Sequence, residues 1–157
     1  MTSQTIGWLT GKHGLACDNL LSADVVTADG EFLKASATEN ADLFWALRGG
    51  GGNFGVVTNF EYQLHPVGPT VLAGMVLHPM TRAKEVLHFY REFTRNLPDE
   101  ACSWTALLNT PDGVPVAALL LFYAGSIEDG ERVLGPARQF GQPIADLVQP
   151  MPYSTYQ

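Results

Sequence analysis

The stretch with the clearest chemical potential is the glycine-rich string GGGGNFG, residues 49–55. Its Gly50-x-Gly52-x-x-Gly55 spacing matches the fingerprint of dinucleotide-binding loops, where bare backbone approaches a pyrophosphate group. Packing is the competing interpretation, because glycine also lets a helix end and a strand begin without a side-chain clash. Short glycine motifs match by chance, and the string alone therefore leaves both interpretations open, with packing favoured.

The elements that flank the string decide against a Rossmann loop. Residues 39–50 predict a short helix with Asn40 as its N-cap and Gly49 as its C-terminal stop. The apolar positions of this helix are Leu43, Phe44 and Leu47, and Trp45 is also assigned to the core. Residues 55–66 predict a strand. A Rossmann fingerprint follows a strand and opens a helix, whereas this loop follows a helix and opens a strand.

Two further groups of elements surround this region. Upstream, residues 22–37 predict a β-hairpin whose tight turn is Asp29-Gly30. Downstream of the boundary predicted in HPVGPT, residues 65–70, the pattern is strand, helix, strand, strand, helix and a last short strand. The first of these helices is predicted to be capped by Thr81 and to bury Ala83, Val86, Leu87, Tyr90, Phe93 and Leu97. The second is predicted to be capped by Ser126. This β-α-β-β-α-β order is that of a ferredoxin-like unit.

Composition excludes several classes of partner. The net charge is −7 and the nine basic residues are scattered, which argues against nucleic acid and anionic membrane surfaces. No apolar run is long enough to span a bilayer and the first 14 residues lack a signal-peptide pattern, which predicts a cytoplasmic protein. Cys17 and Cys102 predict two buried, reduced thiols. The four histidines have no metal-ligand spacing, which predicts surface or capping roles and no metal site.

Two segments carry a resemblance to a known family: GWLTGKHGLACDNLLSADVVTADG and DLFWALRGGGGNFGVVTNFEYQLHPV. They closely resemble the second half of the FAD-binding domain in the berberine bridge enzyme-like flavin oxidoreductases of the vanillyl-alcohol-oxidase superfamily. The remainder, which ends in PMPYSTYQ, resembles the opening of the same family's substrate-binding domain. The resemblance implies an α+β fold: part of a PCMH-type FAD-binding domain at residues 1–66 (its second subdomain) and a ferredoxin-like half of the substrate domain at residues 67–157.

The resemblance also implies a cofactor and its contacts. The cofactor is FAD, and the family oxidises an alcohol, amine or sugar carbon of a small-molecule substrate by hydride transfer to the flavin. The residues implied to lie beside the cofactor are Ile6, Gly7, Gly52, Asn53, Phe54, Gly55, Val56 and Val57. Asp18 and Asn19 are assigned to fixing the loop that enters the first hairpin strand.

Other parts of the family pattern lie outside this sequence. The family tethers FAD through a histidine, and often a cysteine, in segments N-terminal to those matched, and its catalytic tyrosine and Asn-Tyr pair lie C-terminal to them. The resemblance therefore implies a fragment that lacks both ends, to which no catalytic residue is assigned. We expect such a chain to bind FAD weakly or not at all, and to self-associate through exposed sheet edges. The alternative is a non-catalytic α+β binding module derived from the same scaffold.

Overall fold

The computed structural model describes residues 6–157 and divides the chain into two compact units, Met1–Pro66 and Val67–Gln157. The division falls within the proline- and glycine-containing segment that was predicted as a boundary. The assignment of the two units to two domains of a flavoenzyme stays a prediction. No helix in the described part of the chain is long and apolar enough to cross a membrane, and the cytoplasmic location also stays a prediction.

The first unit is a three-stranded antiparallel sheet with one helix packed on it. A short helix α1 (Thr10–His13) and a 3-10 turn (Ala16–Asn19) lead into β1 (Leu20–Val26) and β2 (Phe32–Ser36). Helix α2 (Ala41–Leu47) then precedes β3 (Val56–Tyr62), and the strand order is β2-β1-β3. The predicted hairpin is confirmed, with Ser22 opposite Ser36 and Val26 opposite Phe32.

The core of this unit lies between the sheet and α2. Its buried residues are Leu20, Ala23, Val25, Ala35, Phe44 and Leu47, with Leu43 and Val57 packed against them. One prediction for α2 is wrong: Trp45 is 78% exposed, because it lies on the helix face turned away from the sheet. Asn40 occupies the N-cap position as predicted, but its side chain donates to the Lys34 carbonyl and makes no capping hydrogen bond.

The second unit is a five-stranded antiparallel sheet. Its strands are β4 (Thr70–Pro79), β5 (Ala101–Asn109), β6 (Pro115–Tyr123), β7 (Ala145–Asp146) and β8 (Gln149–Pro152). The order is β5-β6-β4-β7, and β8 also pairs with β4. The single last strand predicted from the sequence is therefore two short ones, both paired with β4. The observed topology confirms the α+β class.

Two helices, α3 (Ala83–Phe93) and α4 (Ile127–Gln139), cover one face of this sheet. Helix α3 has a 3-10 turn before it (Met80–Arg82) and another after it (Thr94–Asn96). A four-residue helix α5 (Tyr153–Tyr156) ends the chain. Ser126 caps α4 as predicted, accepting a hydrogen bond from the Asp129 amide at 3.1 Å. Thr81 does not cap α3, because the intervening 3-10 turn places Arg82 at the N-cap position. Leu87, predicted in the core, is exposed, and Phe89 packs there instead.

Candidate functional site

The glycine-rich string forms the connection from the C-terminal end of α2 to the first residue of β3. Its first hydrogen bond continues the helix, with the Gly50 amide donating to the Ala46 carbonyl at 2.8 Å. The string therefore lies at the end of α2 where backbone carbonyls, not amides, lack partners. This geometry confirms that the string is not a Rossmann loop, in which the phosphate meets a helix N-terminus.

Gly55 has a structural reason to be glycine. Its φ is +139°, and a Cβ added there would lie 2.4 Å from the Val26 carbonyl oxygen and 2.9 Å from Val25 Cγ1. The close approach lets β3 begin its pairing with β1 at Val56 opposite Val26. The packing interpretation of the string therefore holds at this position.

Gly52 differs, because nothing in the described structure demands glycine there. Its φ is not in the positive range, and no atom lies within 4 Å of a Cβ added to it. Gly52 borders a cavity of about 210 Å³ whose lining is Leu47, Gly51, Gly52, Gly55, Val56, Val57 and Phe60. Four residues of the predicted cofactor set therefore meet at one small cavity: Gly52, Gly55, Val56 and Val57.

The other two loop residues of the predicted set face elsewhere. Phe54 borders a separate cavity of about 540 Å³ together with Trp45 and Arg48. Arg48 braces this cavity by donating from Nε to the Cys17 carbonyl at 2.9 Å and from Nη2 to Asp18 at 3.1 Å. Asn53 turns back on the loop, with its side-chain amide donating to the Gly50 carbonyl at 3.1 Å.

Ile6 and Gly7 border neither cavity. Ile6 is exposed, and the Gly7 amide donates to the Thr10 hydroxyl at 2.8 Å, at the start of α1. The family resemblance also implies that Thr5 approaches the flavin, and Thr5 lies outside the described residues. The loop assigned to Asp18 and Asn19 is held as predicted, since Asp18 accepts the Leu15 amide at 2.9 Å and Asn19 donates to two carbonyls.

His78 departs from the surface or capping role predicted for the histidines, whereas His65 and His88 are exposed as predicted. His78 is 0% exposed, with both ring nitrogens buried and without hydrogen-bond partners. It lies on the helix-covered face of β4, with its ring edge against Phe140 at 5.7 Å. Its position before Pro79 at a strand end gave no sign of this burial. His13 and His65, 52 positions apart in sequence, stack with ring centroids 4.0 Å apart.

The cysteines and the possible metal ligands of the described residues indicate no additional reactive or metal-binding site. Cys17 is buried and Cys102 half-buried, and both thiols are free. Burial raises the pKa of the Cys102 thiol, which lowers its reactivity at neutral pH. Among the described residues, no group of three or more histidine, cysteine, aspartate or glutamate side chains is placed to hold a metal ion.

The face of the second sheet that α3 and α4 leave uncovered carries aromatic residues. Phe122 stacks on Tyr156 there, with ring centroids 6.0 Å apart, and meets the edge of Tyr153. The Tyr156 hydroxyl donates to the Gly74 and Leu121 carbonyls, and burial raises its pKa to about 12, which makes it a structural donor and not a base. Trp104 lies on the same face and is 38% exposed. Tyr123 points the other way, into the core under the helices.

Comparison with curated proteins finds relatives along most of the chain. The FAD-linked oxidoreductase pgmH of Aspergillus terreus is 38% identical over 141 residues, which are 87% of this chain and 28% of that protein. No family model matches.

Solved structures share the fold. The 6-hydroxy-D-nicotine oxidase of Arthrobacter nicotinovorans superposes with a TM-score of 0.86 and 29% identity, covering 98% of this chain and 34% of the oxidase. The xylooligosaccharide oxidase of Myceliophthora thermophila, solved with xylobiose, has a TM-score of 0.78 and 31% sequence identity. The match covers 98% of this chain and 33% of that oxidase. BBE-like 1 of Physcomitrella patens superposes with a TM-score of 0.82, covering 97% of this chain and 33% of that protein. Its sequence identity is 24%, so it supports the fold alone.

These matches agree with the resemblance carried by the glycine string and its flanks. The relatives of this chain are FAD-linked oxidoreductases, and its structural neighbours are oxidases that include berberine bridge enzyme-like proteins. The chain spans about a third of the length of the relatives it matches.

Proposed function

We propose that the first unit supplies one wall of an FAD cleft, formed by the backbone of Gly52 to Val57. The observation that carries the proposal is Gly52, which borders the small cavity although neither its backbone angles nor its surroundings require glycine. A residue without a side chain keeps this stretch of backbone accessible to a flat ligand. FAD, when bound, supplies the hydride-accepting chemistry of the family.

The residues around Gly52 fit such a ligand. Val56 is 68% exposed and Phe60 is also partly exposed, and both border the cavity with Val57. Cofactor sites are lined mainly by apolar and aromatic side chains, with a few backbone groups that fix orientation. Since β3 pairs only with β1 among the described strands, backbone groups on its other edge are available to the cofactor.

The chain alone is proposed to hold FAD weakly and not to turn over. A bound cofactor has most of its surface enclosed by protein, whereas this cavity measures about 210 Å³ and is partly open to solvent. The purified chain is therefore expected to carry no stoichiometric flavin. Visible flavin absorbance that co-purifies at one equivalent per chain would contradict this expectation.

The wall itself is tested by NMR, which detects weak binding. With increasing FAD, amide chemical shifts are expected to change at residues 52–57 in the wild-type chain and to change less in Gly52→Ala. Gly135→Ala is the matched control, because a Cβ at Gly135 in α4 also meets open space, with its nearest neighbour at 3.9 Å. If FAD at millimolar concentration changes no amide chemical shift in residues 52–57, this loop does not contact FAD. A non-catalytic binding module is then the better explanation of the fold.

The uncovered aromatic face of the second unit is proposed to contact a small-molecule substrate in the whole protein. Trp104 lies on this face and is 38% exposed, so its ring offers flat, apolar contact area, whereas Phe122 is fully buried against Tyr153 and Tyr156. Support comes from the relatives whose names identify small molecules, a hydroxynicotine and a xylooligosaccharide. Trp104→Ala is expected to raise KM more than it lowers kcat in the whole protein, and an unchanged KM would contradict the assignment.

Self-association of the chain is also proposed. Both sheets end in strands that pair with no further strand among the described residues. Unpaired strand edges present rows of N–H and C=O groups that readily pair with another chain. Light scattering is expected to give a dimer or a larger oligomer, and a monomer that persists at high concentration would contradict this proposal.

A further inference from the structure

A second feature of the first unit lies away from the glycine-rich string and involves His13, Asn19 and His65, which we call the histidine clasp. The His13 and His65 rings are stacked in parallel, with centroids 4.0 Å apart and planes inclined by 7°. His65 Nε2 lies 2.6 Å from Asn19 Oδ1. The Asn19 side-chain nitrogen donates to the His13 carbonyl at 2.7 Å and the Leu15 carbonyl at 2.9 Å, which leaves Oδ1 as the acceptor for His65.

The clasp joins two distant parts of the chain. His13 ends α1, Asn19 precedes β1, and His65 follows β3, one residue before the boundary between the two units. A backbone bond reinforces the join, since the Gln63 amide donates to the Asn19 carbonyl at 2.8 Å. The three residues therefore fix the strand end from which the chain leaves the first unit.

The clasp has room for one positive charge but not for two. His65 is exposed and donates through Nε2, and it keeps that hydrogen bond when its other nitrogen is protonated. His13 is half-buried, and its Nε2 is buried without a partner that would stabilise a proton. Two imidazolium rings stacked at 4.0 Å would repel each other.

We propose that the histidine clasp is a pH-sensitive switch that holds residues 63–66 against the start of β1 at neutral pH and releases them on acidification. The charged groups of this corner are Lys12, Asp18 and Arg48. Asp18 is already paired with Arg48 at 3.1 Å, so no carboxylate is left to compensate a proton on His13.

The direction of the pH response follows from the environment of His13. Burial, His65 and Lys12 all lower its pKa below the ordinary 6.5. The closed clasp therefore excludes a proton that the open segment accepts. The clasp is at full strength above about pH 6.5 and weakens as the pH falls below that value, because the open form then binds more protons.

The test uses the full chain and follows the histidine ring protons and the Gln63 amide by NMR between pH 8 and pH 4.5. The His13 ring is expected to titrate below its ordinary range. Exchange of the Gln63 amide, corrected for its intrinsic pH dependence, is expected to accelerate over the same range. His65→Gln keeps an amide donor for Asn19 but removes the second charge. It should move the His13 titration upward and reduce the acid response of Gln63.

His88→Gln is the matched control, because His88 is exposed on α3 in the other unit and the substitution removes the same side chain. It should leave both measurements unchanged. The switch is disproved if the His13 ring in the wild-type chain titrates in its ordinary range, or if exchange at Gln63 has no pH response. Both outcomes are read from the wild-type chain and stand even where a variant fails to fold.

Discussion

At the scale of single residues, two glycines of the same string have different tasks. Gly55 is required by the close approach of β3 to β1, since an added Cβ would lie 2.4 Å from the Val26 oxygen. Gly52 has space around it and ordinary backbone angles. The same string therefore contains a glycine that packing requires and a glycine that no packing contact requires.

Gly55→Ala is expected to destabilise the chain by at least about 1 kcal/mol, because it combines a backbone clash with a positive φ. Gly52→Ala is expected to change stability by no more than about 0.5 kcal/mol, in either direction. Urea unfolding of the two variants against the wild type measures the difference. If Gly52→Ala destabilises the chain as much as Gly55→Ala is expected to, both glycines have a structural role.

His78 predicts acid sensitivity of the second unit. Burial, followed by the charge on Arg82, lowers the pKa of His78 below 6.5, so the folded protein holds the ring neutral. The unfolded chain takes up a proton at higher pH than the folded chain, and stability is therefore lost as the pH falls below about 6.5. In His78→Leu the free energy of unfolding should decline less between pH 7.5 and pH 5.5. An identical decline in both proteins would assign the acid sensitivity to other groups.

At the scale of elements, the helix N-caps show that a suitable residue type caps a helix only where the backbone places it at the N-cap position. Ser126 and Thr81 both preceded an apolar helical pattern, but only Ser126 caps a helix, because Thr81 lies within the 3-10 turn Met80–Arg82. Ser126→Ala is expected to cost about 1 kcal/mol in the free energy of unfolding.

Thr81→Ala is the matched substitution and should leave the free energy of unfolding without a capping loss, because Thr81 is not an N-cap residue. The N-cap residues on either side of it are Pro79 and Arg82, and neither makes a side-chain capping hydrogen bond. Chemical denaturation of both variants measures the contrast. A larger loss at Thr81 than at Ser126 would mean that α3 begins earlier in solution than at Ala83.

The pattern of apolar residues was sufficient to predict most elements, and its errors have local causes. The hairpin, α2 and the β-α-β-β-α-β order follow from periodicity and turn residues that act within a few positions. Trp45 was misplaced because α2 is short and the sheet covers only one side of it, which leaves a large apolar residue exposed. Leu87 is exposed because the core-facing residues Val86, Phe89, Tyr90 and Phe93 follow an i, i+3, i+4, i+7 pattern that does not include it.

At the scale of the whole molecule, self-association is expected to run through one edge. Of the edge strands in the described part of the chain, β2 and β3 carry Lys34 and Glu61, while β7 and β8 carry Asp146 and two prolines. Only β5 has neither charge nor proline. Charges and prolines on edges prevent pairing between chains, and β5 lacks this protection.

Leu107, on β5, is 55% exposed, and Leu107→Lys is therefore expected to shift the chain toward monomer in sedimentation velocity. Leu87→Lys is the control, because Leu87 is also exposed, at 40%, but lies on α3. If Leu87→Lys dissociates the oligomer as strongly as Leu107→Lys, the association does not use the β5 edge. A wild-type chain that is already monomeric would remove the basis of this prediction.

The sequence by itself was sufficient to find the resemblance to FAD-linked oxidoreductases, to order the main elements and to reject a Rossmann loop, because these depend on residue strings and local periodicity. The different surroundings of Gly52 and Gly55, the burial of His78 and the stacking of His13 on His65 were decided only by the tertiary structure. Each depends on which atoms from distant positions come within a few ångströms, such as Val26 beside Gly55 and Phe140 beside His78. Composition and spacing do not encode such distances, which arise when β-sheet pairing and helix packing bring separate segments together.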